Sequence, residues 1–500
     1  MKKSSILLSA SLLLSTIPSF ASSFSSPEHI RGSEVFKHLE ELEKIAKQNN
    51  GNRSAGTRGH ELSGEYVANK LAAAGYKVTF QPFDIKIYEQ LKAGLALTAP
   101  EPRTFEEEKE FALLSYSPSA TVKGAIIPVD ISLGRDNTST SGCEASDYAN
   151  FPKGNIALVQ RGTCTFQQKT ELAQAAGASG VVVFNQGNTE QREGVFHSSL
   201  GADSGITIPA FAISYPLGVS LLGLEKPELQ LISETKIETR KTFNVLAESA
   251  EGNAENVVMV GSHLDSVSEG PGMNDNASGS AGILEIALRM AKVKTVNKLR
   301  FGFWGAEEMG LIGSEKYVAS LSAEEKSKIS LYLNVDMIGS PNYMISVFDG
   351  DGSKFGLKGP EGSASIERLF HMYFRLNGIR SIETQIDGRS DYAAFAEAGI
   401  PIGGVFTGAE GIKTQEEAEA FGGEAGVAYD KCYHSACDDL TNISVEALEI
   451  NTNAMAFMTL GYSHSTASLK APGMSRKLKR NSVSFRDAPK LIDGVKVYLR

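Results

Sequence analysis

Three apolar runs of this 500-residue chain each end in acidic or imidazole side chains. Asn256-Val-Val-Met-Val-Gly261 leads into Ser262-His263-Leu264-Asp265, Leu299-Arg-Phe-Gly-Phe-Trp304 into Gly305-Ala306-Glu307-Glu308, and Leu331-Tyr-Leu-Asn-Val335 into Asp336. Between the first two lies Gly272-Met-Asn-Asp275-Asn276-Ala-Ser-Gly279, and far downstream comes Cys432-Tyr433-His434-Ser-Ala-Cys437-Asp438. The imidazoles of His263 and His434, with the carboxylates of Asp275, Glu308 and Asp336, form the nitrogen and oxygen donor set that zinc takes in hydrolytic sites. Three carboxylates packed together repel one another, and burying each without compensation costs several kcal/mol. Two divalent cations would neutralise them. A lone His or Asp at a strand end is ordinarily structural; five such groups in four segments point to chemistry. Competing chemistries lack their signatures. Ser278-Gly-Ser280-Ala-Gly282 starts with Ser where the nucleophile elbow needs Gly, and neither a strand-linked G-x-G-x-x-G loop nor a Walker loop is found.

For these groups to meet, the runs must be strands that alternate with helices, so that their carboxyl ends open on one crevice. Ile283, Ile286, Ala287 and Met290 give the segment from Ile283 to Ala291 one apolar helical face, which puts Asp275 at a loop–helix junction. Beyond Lys241 the pattern is α/β throughout. Upstream, Val35, Leu39, Leu42 and Ile45, then Tyr66, Val67, Leu71 and Ala74, predict two amphipathic helices joined by the loop Asn52–Gly59. Gly75 ends the second, and alternation predicts a strand from Tyr76 to Ile87. Between about 102 and 234 the texture changes to short β runs such as Ile156-Ala-Leu-Val and Val181-Val-Val-Phe, with one helix at Phe166–Ala176, as in a separate small α/β module. From Leu469 onward Lys470, Arg476, Lys477, Lys479 and Arg480 fall without periodicity, as in a solvated basic tail.

Lys plus Arg number 49 and Asp plus Glu 59, so the formal charge is 49 − 59 = −10. That balance argues against a nucleic-acid or anionic-membrane binder. With 41% hydrophobic residues and 22% charged the chain can bury a large core. No apolar run is long enough for a transmembrane span. Met1-Lys2-Lys3, an apolar stretch from Ile6 to Pro18 and Ser19-Phe20-Ala21-Ser22 read as a signal peptide over 1–21, so the protein is expected to be exported, secreted or periplasmic. Export permits disulfides. Four cysteines allow three pairings, and proximity favours Cys143 with Cys164 and Cys432 with Cys437. Loop closure would make the first worth about 3 kcal/mol and the second about 2 kcal/mol.

The ordered motifs His263-Leu-Asp265, Met273-Asn-Asp275-Asn-Ala-Ser-Gly, Trp304-Gly-Ala-Glu307-Glu308-Met-Gly-Leu-Ile-Gly-Ser and Asn334-Val-Asp336-Met-Ile-Gly resemble the di-zinc exopeptidase family, and within it secreted bacterial leucyl aminopeptidases. Gly388-Arg-Ser-Asp-Tyr392 and Val405-Phe-Thr-Gly-Ala-Glu-Gly extend the likeness, which spans most of 32–468. The stretch from Gly142-Cys143 through Arg161-Gly-Thr-Cys164 to Ala175-Ala-Gly-Ala-Ser-Gly-Val-Val-Val-Phe184 resembles a protease-associated domain.

The resemblance implies a three-layer α/β/α peptidase domain with a mixed, mostly parallel sheet over 32–100 and 236–468. A small protease-associated domain over 102–234 would be inserted in it, and a tail would occupy 469–500. It implies two Zn2+ per chain, one on His263, Asp275 and Asp336, the other on Asp275, Glu308 and His434, with Asp275 bridging. Glu307 would be the general base, Asp265 the partner orienting His263 and Tyr433 a donor to the oxyanion, with a cis peptide at Asp275–Asn276. Met337 and Phe406 would line a pocket for a large apolar first residue, and Glu307, Asp336 and the backbone near Arg389 would hold the α-ammonium. The implied activity is removal of N-terminal residues from peptides or proteins. The alternatives are a carboxypeptidase of the same family, which needs a basic pocket, and a receptor-like relative without metals.

Overall fold

The structure, a computed structural model, describes residues 29–470; the expected signal peptide over 1–21 and the tail from 471 onward lie outside the described residues. Two helices, α1 (Gly32–Gln48) and α2 (Arg58–Ala73), precede a long strand β1 (Lys77–Ala99). Val35, Leu39, Leu42 and Ala46 make the buried face of α1, and the Thr57 hydroxyl caps α2 by accepting the His60 amide. There follow β2 (Arg103–Thr104), β3 (Phe111–Leu113), β4 (Ala120–Pro128), β5 (Ile156–Gln160), α3 (Phe166–Ala175), β6 (Gly180–Phe184), β7 (Ala210–Ile213) and α4 (Tyr215–Leu222). A second long strand, β8 (Glu228–Glu248), returns antiparallel to β1 from Ala99↔Glu228 to Lys77↔Glu248. The remainder is β9 (Asn253–His263), α5 (Gly279–Met290), β10 (Asn297–Trp304), α6 (Ile312–Ser320), α7 (Ala323–Lys328), β11 (Ile329–Val335), β12 (Ser346–Phe348), α8 (Ser363–Leu376), β13 (Ile382–Thr384), α9 (Tyr392–Glu397), β14 (Ile402–Phe406), α10 (Gln415–Phe421) and α11 (Val445–His464).

The strands join in one path, β13-β12-β14-β11-β9-β10-β8-β4-β5-β6-β7-β3, with β1 on β8. Strands β14, β11, β9 and β10 are mutually parallel; β12 on β14, β10 on β8 and β8 on β1 are antiparallel. The β1/β8 ribbon runs from the larger half into the smaller. Leu95, Leu97, Leu229 and Leu231 of this ribbon are buried in the smaller core, so β1 continues well beyond Ile87, where its sequence pattern alone would stop it.

Alternation along the parallel strands builds three layers. Val258 and Val260, Phe301 and Phe303, and Leu331 and Leu333 face a core shared with α1, α5, α8 and α11. Their neighbours Met259, Trp304 and Tyr332 face the opposite side, against Tyr317 of α6 and Phe395 of α9. Burial on both faces is what parallel strands require, and it explains why these runs are continuously apolar. In the smaller unit Leu158 and Val182 face one cluster while Ala157, Val159, Val181 and Val183 face another. Both expected disulfides form, Cys143–Cys164 and Cys432–Cys437. Among the described residues no helix is long and apolar enough to cross a membrane.

Leu333 is fully buried on β11, between the strands that carry His263 and Phe406. Leu333→Ala is expected to destabilise the protein by about 2–5 kcal/mol, read as a lower urea midpoint; a loss under about 1 kcal/mol would mean that this layer can close around the cavity.

Candidate metal centre

The register of three neighbouring strands sets the site. Trp304 pairs with His263 across β10 and β9, and Leu264 donates its amide to the Trp304 carbonyl at 2.7 Å. The residues that follow, Glu307 and Asp265, are thereby held together, with the Glu307 amide donating to Asp265 Oδ1 at 3.2 Å. On the other side β11 ends at Val335, which delivers Asp336. Asp275 sits in the irregular turn Met273–Ser278 just before α5, and the Asp275–Asn276 peptide is cis, as the resemblance implied. Gly279 lets the turn close on the strand end, because a Cβ there would lie 2.5 Å from the Val335 carbonyl oxygen. Asp438 anchors the turn from below, accepting the amides of Asn274 at 2.8 Å and Asp275 at 3.0 Å. His434 arrives from the loop closed by Cys432–Cys437. Ala306, Met337 and His434 all adopt positive φ, a conformation that non-glycine residues take where the surroundings impose it.

All five expected donors converge. His263 Nε2 lies 3.2 Å from Asp275 Oδ1 and 3.4 Å from Asp336 Oδ1. His434 Nε2 lies 3.1 Å from Asp275 Oδ2 and 3.0 Å from Glu308 Oε2. The two oxygens of Asp275 therefore face separate histidine–carboxylate sets. Glu307 Oε2 is 3.9 Å from His263 Nε2, beside the donors. His263 Nδ1 lies 3.2 Å from the Asp265 carbonyl oxygen, which fixes the ring and turns Nε2 toward the carboxylates. The contact expected of the Asp265 carboxylate is thus made by its backbone; Oδ1 stands 3.7 Å away and accepts the Glu307 amide instead.

Burial drives the electrostatics. It pushes the Glu307 carboxyl well above its usual range, with the charges of Asp391, Asp336 and Glu308 adding to it. Glu308 is pushed up to about 7, by burial and then by Asp275. His434 is raised to about 11 by Glu308 and Asp275, against burial. Asp336 Oδ1, Glu308 Oε1 and Asp265 Oδ2 are buried without hydrogen-bond partners among the described residues. Orphaned carboxylate oxygens beside outward-turned imidazole nitrogens are a donor set that divalent cations fit.

The donors open on a cavity of about 310 Å3 whose walls include Met337, Phe348, Arg389, Phe406 and Tyr433, so every expected pocket residue lines it. Tyr433 stacks on His434 with ring centroids 3.8 Å apart and accepts from Arg389 Nη2 at 3.2 Å. Arg389 Nη1 is held by Glu410 Oε1 at 2.8 Å.

Several residues here escaped the sequence reading. Arg53 is fully buried beneath the site. It donates to the Pro271 carbonyl at 3.0 Å, to that of Gly272 at 2.7 Å and to that of Leu264, tying the His263 loop to the Asp275 turn. Nothing in Asn52-Arg-Ser-Ala-Gly-Thr-Arg-Gly59 distinguishes it from exposed Arg58. Ser390 donates to Asp336 Oδ2 at 2.6 Å and accepts from Asn334 Nδ2 at 2.8 Å, while Tyr332 donates to Asn334 Oδ1 at 3.0 Å and Trp304 Nε1 to Tyr332 at 2.9 Å. Asp391, fully buried beside these groups, is pushed up to about 7 by burial. Ser390 and Asp391 lie in the Gly388–Tyr392 motif, yet their role needs the neighbouring strand end to be known.

Comparison with known proteins agrees with this geometry. Residues 244–459 match peptidase family M28 and residues 122–221 match the PA domain. An aminopeptidase of Pseudomonas aeruginosa is 54% identical over 88% of this chain and 82% of its own length. A probable leucine aminopeptidase 2 of Trichophyton verrucosum is 39% identical over 87% of this chain and 85% of its own. Among solved structures, an aminopeptidase from Aneurinibacillus sp. strain AM-1 superposes with a TM-score of 0.68 at 27% identity, covering 87% of this chain and 95% of that one. A zinc aminopeptidase from Bacillus subtilis gives 0.56 at 25% identity, covering 86% and 94%. Its mixed sheet, its inserted PA domain and its likeness to these enzymes over most of its length establish that the chain belongs to peptidase family M28, as an aminopeptidase-type enzyme.

Proposed function

We propose that this aminopeptidase is exported and removes a large apolar residue from peptide N-termini at a two-zinc centre. The observation that carries the reading is the Asp275 carboxylate, whose Oδ1 and Oδ2 each face a separate histidine–carboxylate set at 3.0–3.4 Å donor spacings among themselves and with it. His263, Asp275 and Asp336 would hold one ion, and Asp275, Glu308 and His434 the other. The zinc title of the Bacillus subtilis neighbour supports the choice of metal. Bound there, zinc supplies Lewis-acid charge that polarises the scissile carbonyl and makes a water nucleophilic near neutral pH.

The chain's own groups do the rest. Glu307, made more basic by burial, takes the proton of the attacking water and delivers it to the leaving amine. Tyr433 stays protonated, because burial holds its phenol well above the ordinary value, and its hydroxyl donates to the developing oxyanion. Arg389, anchored by Glu410, fixes the direction of that hydroxyl. The negative field of Glu307, Asp336 and Asp391 favours the substrate's α-ammonium. Met337, Phe348 and Phe406 offer its first side chain an apolar wall, and the leucine aminopeptidase name of the Trichophyton relative supports that preference. Arg389 is tied to Glu410, so it offers no free basic pocket of the kind that carboxypeptidase action on C-terminal glutamate would need. The division into a signal peptide over 1–21, a peptidase domain over 32–100 and 236–468, a PA domain over 102–234 and a tail over 469–500 belongs to the same proposal. The two disulfides support export.

Leucyl-p-nitroanilide should be cleaved at least ~100-fold faster than its N-acetylated analogue, and a chelator should abolish the activity. Equal rates on the two compounds would remove ammonium recognition from the account. Glu307→Gln should keep its bound metal and lose kcat by ~10³-fold, the range of a proton-transfer group. An unchanged kcat would reassign the base. Trp304, the only tryptophan, is linked through Tyr332, Asn334 and Ser390 to Asp336. Its emission should therefore shift when metal is removed and recover on adding Zn2+; an unmoved spectrum would show that the relay does not sense Asp336.

A further inference from the structure

We propose that Glu367, His371 and Glu383 form a separate site for a divalent transition-metal ion that pins the outermost strand of the sheet to the helix behind it. One potential ligand atom from each of the three lies within 4.8 Å of the others. Glu367 and His371 stand one turn apart on α8, on the same face, and Glu383 is the central residue of β13, the strand at the sheet's end. The imidazole is already oriented: His371 Nδ1 is 2.8 Å from Ser381 Oγ. The other nitrogen, Nε2, is buried and has no hydrogen-bond partner among the described residues. A ring held through one nitrogen with the second left without a partner, beside two carboxylates, is a form in which proteins present histidine to a metal.

The neighbouring acidic loop needs no ion of its own. Asp349 accepts the amides of Ser353, Lys354 and Phe355, and Asp351 also accepts that of Ser353. Glu367, 5% exposed, receives the Asp351 amide on Oε2 at 2.9 Å, the one hydrogen bond to its side chain among the described residues. Lys354 approaches Glu383 Oε2 only to 3.9 Å, from a side chain 46% exposed. One imidazole and two carboxylates suit Zn2+ over Ca2+ or Mg2+, which prefer oxygen alone. His371 also borders an open groove beside Met372 and Ile379.

The consequence reaches the substrate cavity. Thr384 and Gln385, which follow Glu383 directly, line that cavity, as do Asp387 and Arg389 beyond them. β13 is three residues long and among the described residues pairs with β12 alone, so an ion on Glu383 would anchor the chain that forms this wall. The site shares no residue with the catalytic centre and stands whether or not that centre holds two ions.

The test uses the full-length protein, stripped with a chelator and dialysed against micromolar Zn2+, with bound zinc counted by mass spectrometry. Wild type should hold one more zinc per chain than His371→Ala or Glu383→Gln. Both variants should still hydrolyse leucyl-p-nitroanilide. Micromolar Zn2+ should raise the Tm of wild type by roughly 5 °C more than that of either variant. Equal zinc content and equal Tm shifts across all three proteins would overturn the site, as would a difference seen only at millimolar Zn2+. If His371→Ala does not fold, Glu383→Gln, on a short edge strand, decides alone. The comparison is of variants against wild type, so failure of the two-zinc reading would change every count alike and leave this difference intact.

Discussion

Mutual repulsion among carboxylates is the constraint around which this molecule is arranged. Asp265, Asp275, Glu307, Glu308, Asp336 and Asp391 gather at the carboxyl ends of adjacent strands, buried or nearly so, against two imidazoles and the Arg53 guanidinium. Each uncompensated buried charge costs several kcal/mol, more than a hydrogen bond to a neighbouring amide returns. Backbone amides answer part of the charge: Glu307 donates to Asp265, and Asn274 and Asp275 donate to Asp438. The proposed cations would answer the remainder, and the proposed catalysis would use the same positive charge.

The scaffold supplies rigidity where that repulsion would open the site. Parallel strands buried on both faces fix the heights at which His263, Glu307 and Asp336 emerge. Arg53 crosses from the N-terminal loop to tie together the two ends of the segment 264–272, and it does so through main-chain carbonyls. A short disulfide loop then presents His434 and Tyr433 from the opposite rim. Residues far apart in sequence, 53, 263, 275, 336 and 434, are thus made neighbours by elements that carry little chemistry themselves.

What could be read from the chain alone follows from this. Strand ends were legible because a continuous apolar run followed by His or Asp reports both burial and its limit, and the donor set followed from residue types. Fold class was legible through the same alternation. The reach of β1 was not: its outer half is held by pairing with β8, more than a hundred residues away, which no local pattern reports. Arg53 and Asp391 were missed because each looks like an ordinary surface residue until the strand ends above it are assembled. Asp265 was placed correctly beside His263, but the contact runs through its carbonyl, a detail that residue type cannot encode.

The most direct test of the central claim is anomalous diffraction at the zinc edge from crystals of active protein. Two peaks about 3.5–4 Å apart, one on each side of the Asp275 carboxylate, are predicted. An active crystal with no anomalous density between His263 and His434 would contradict it.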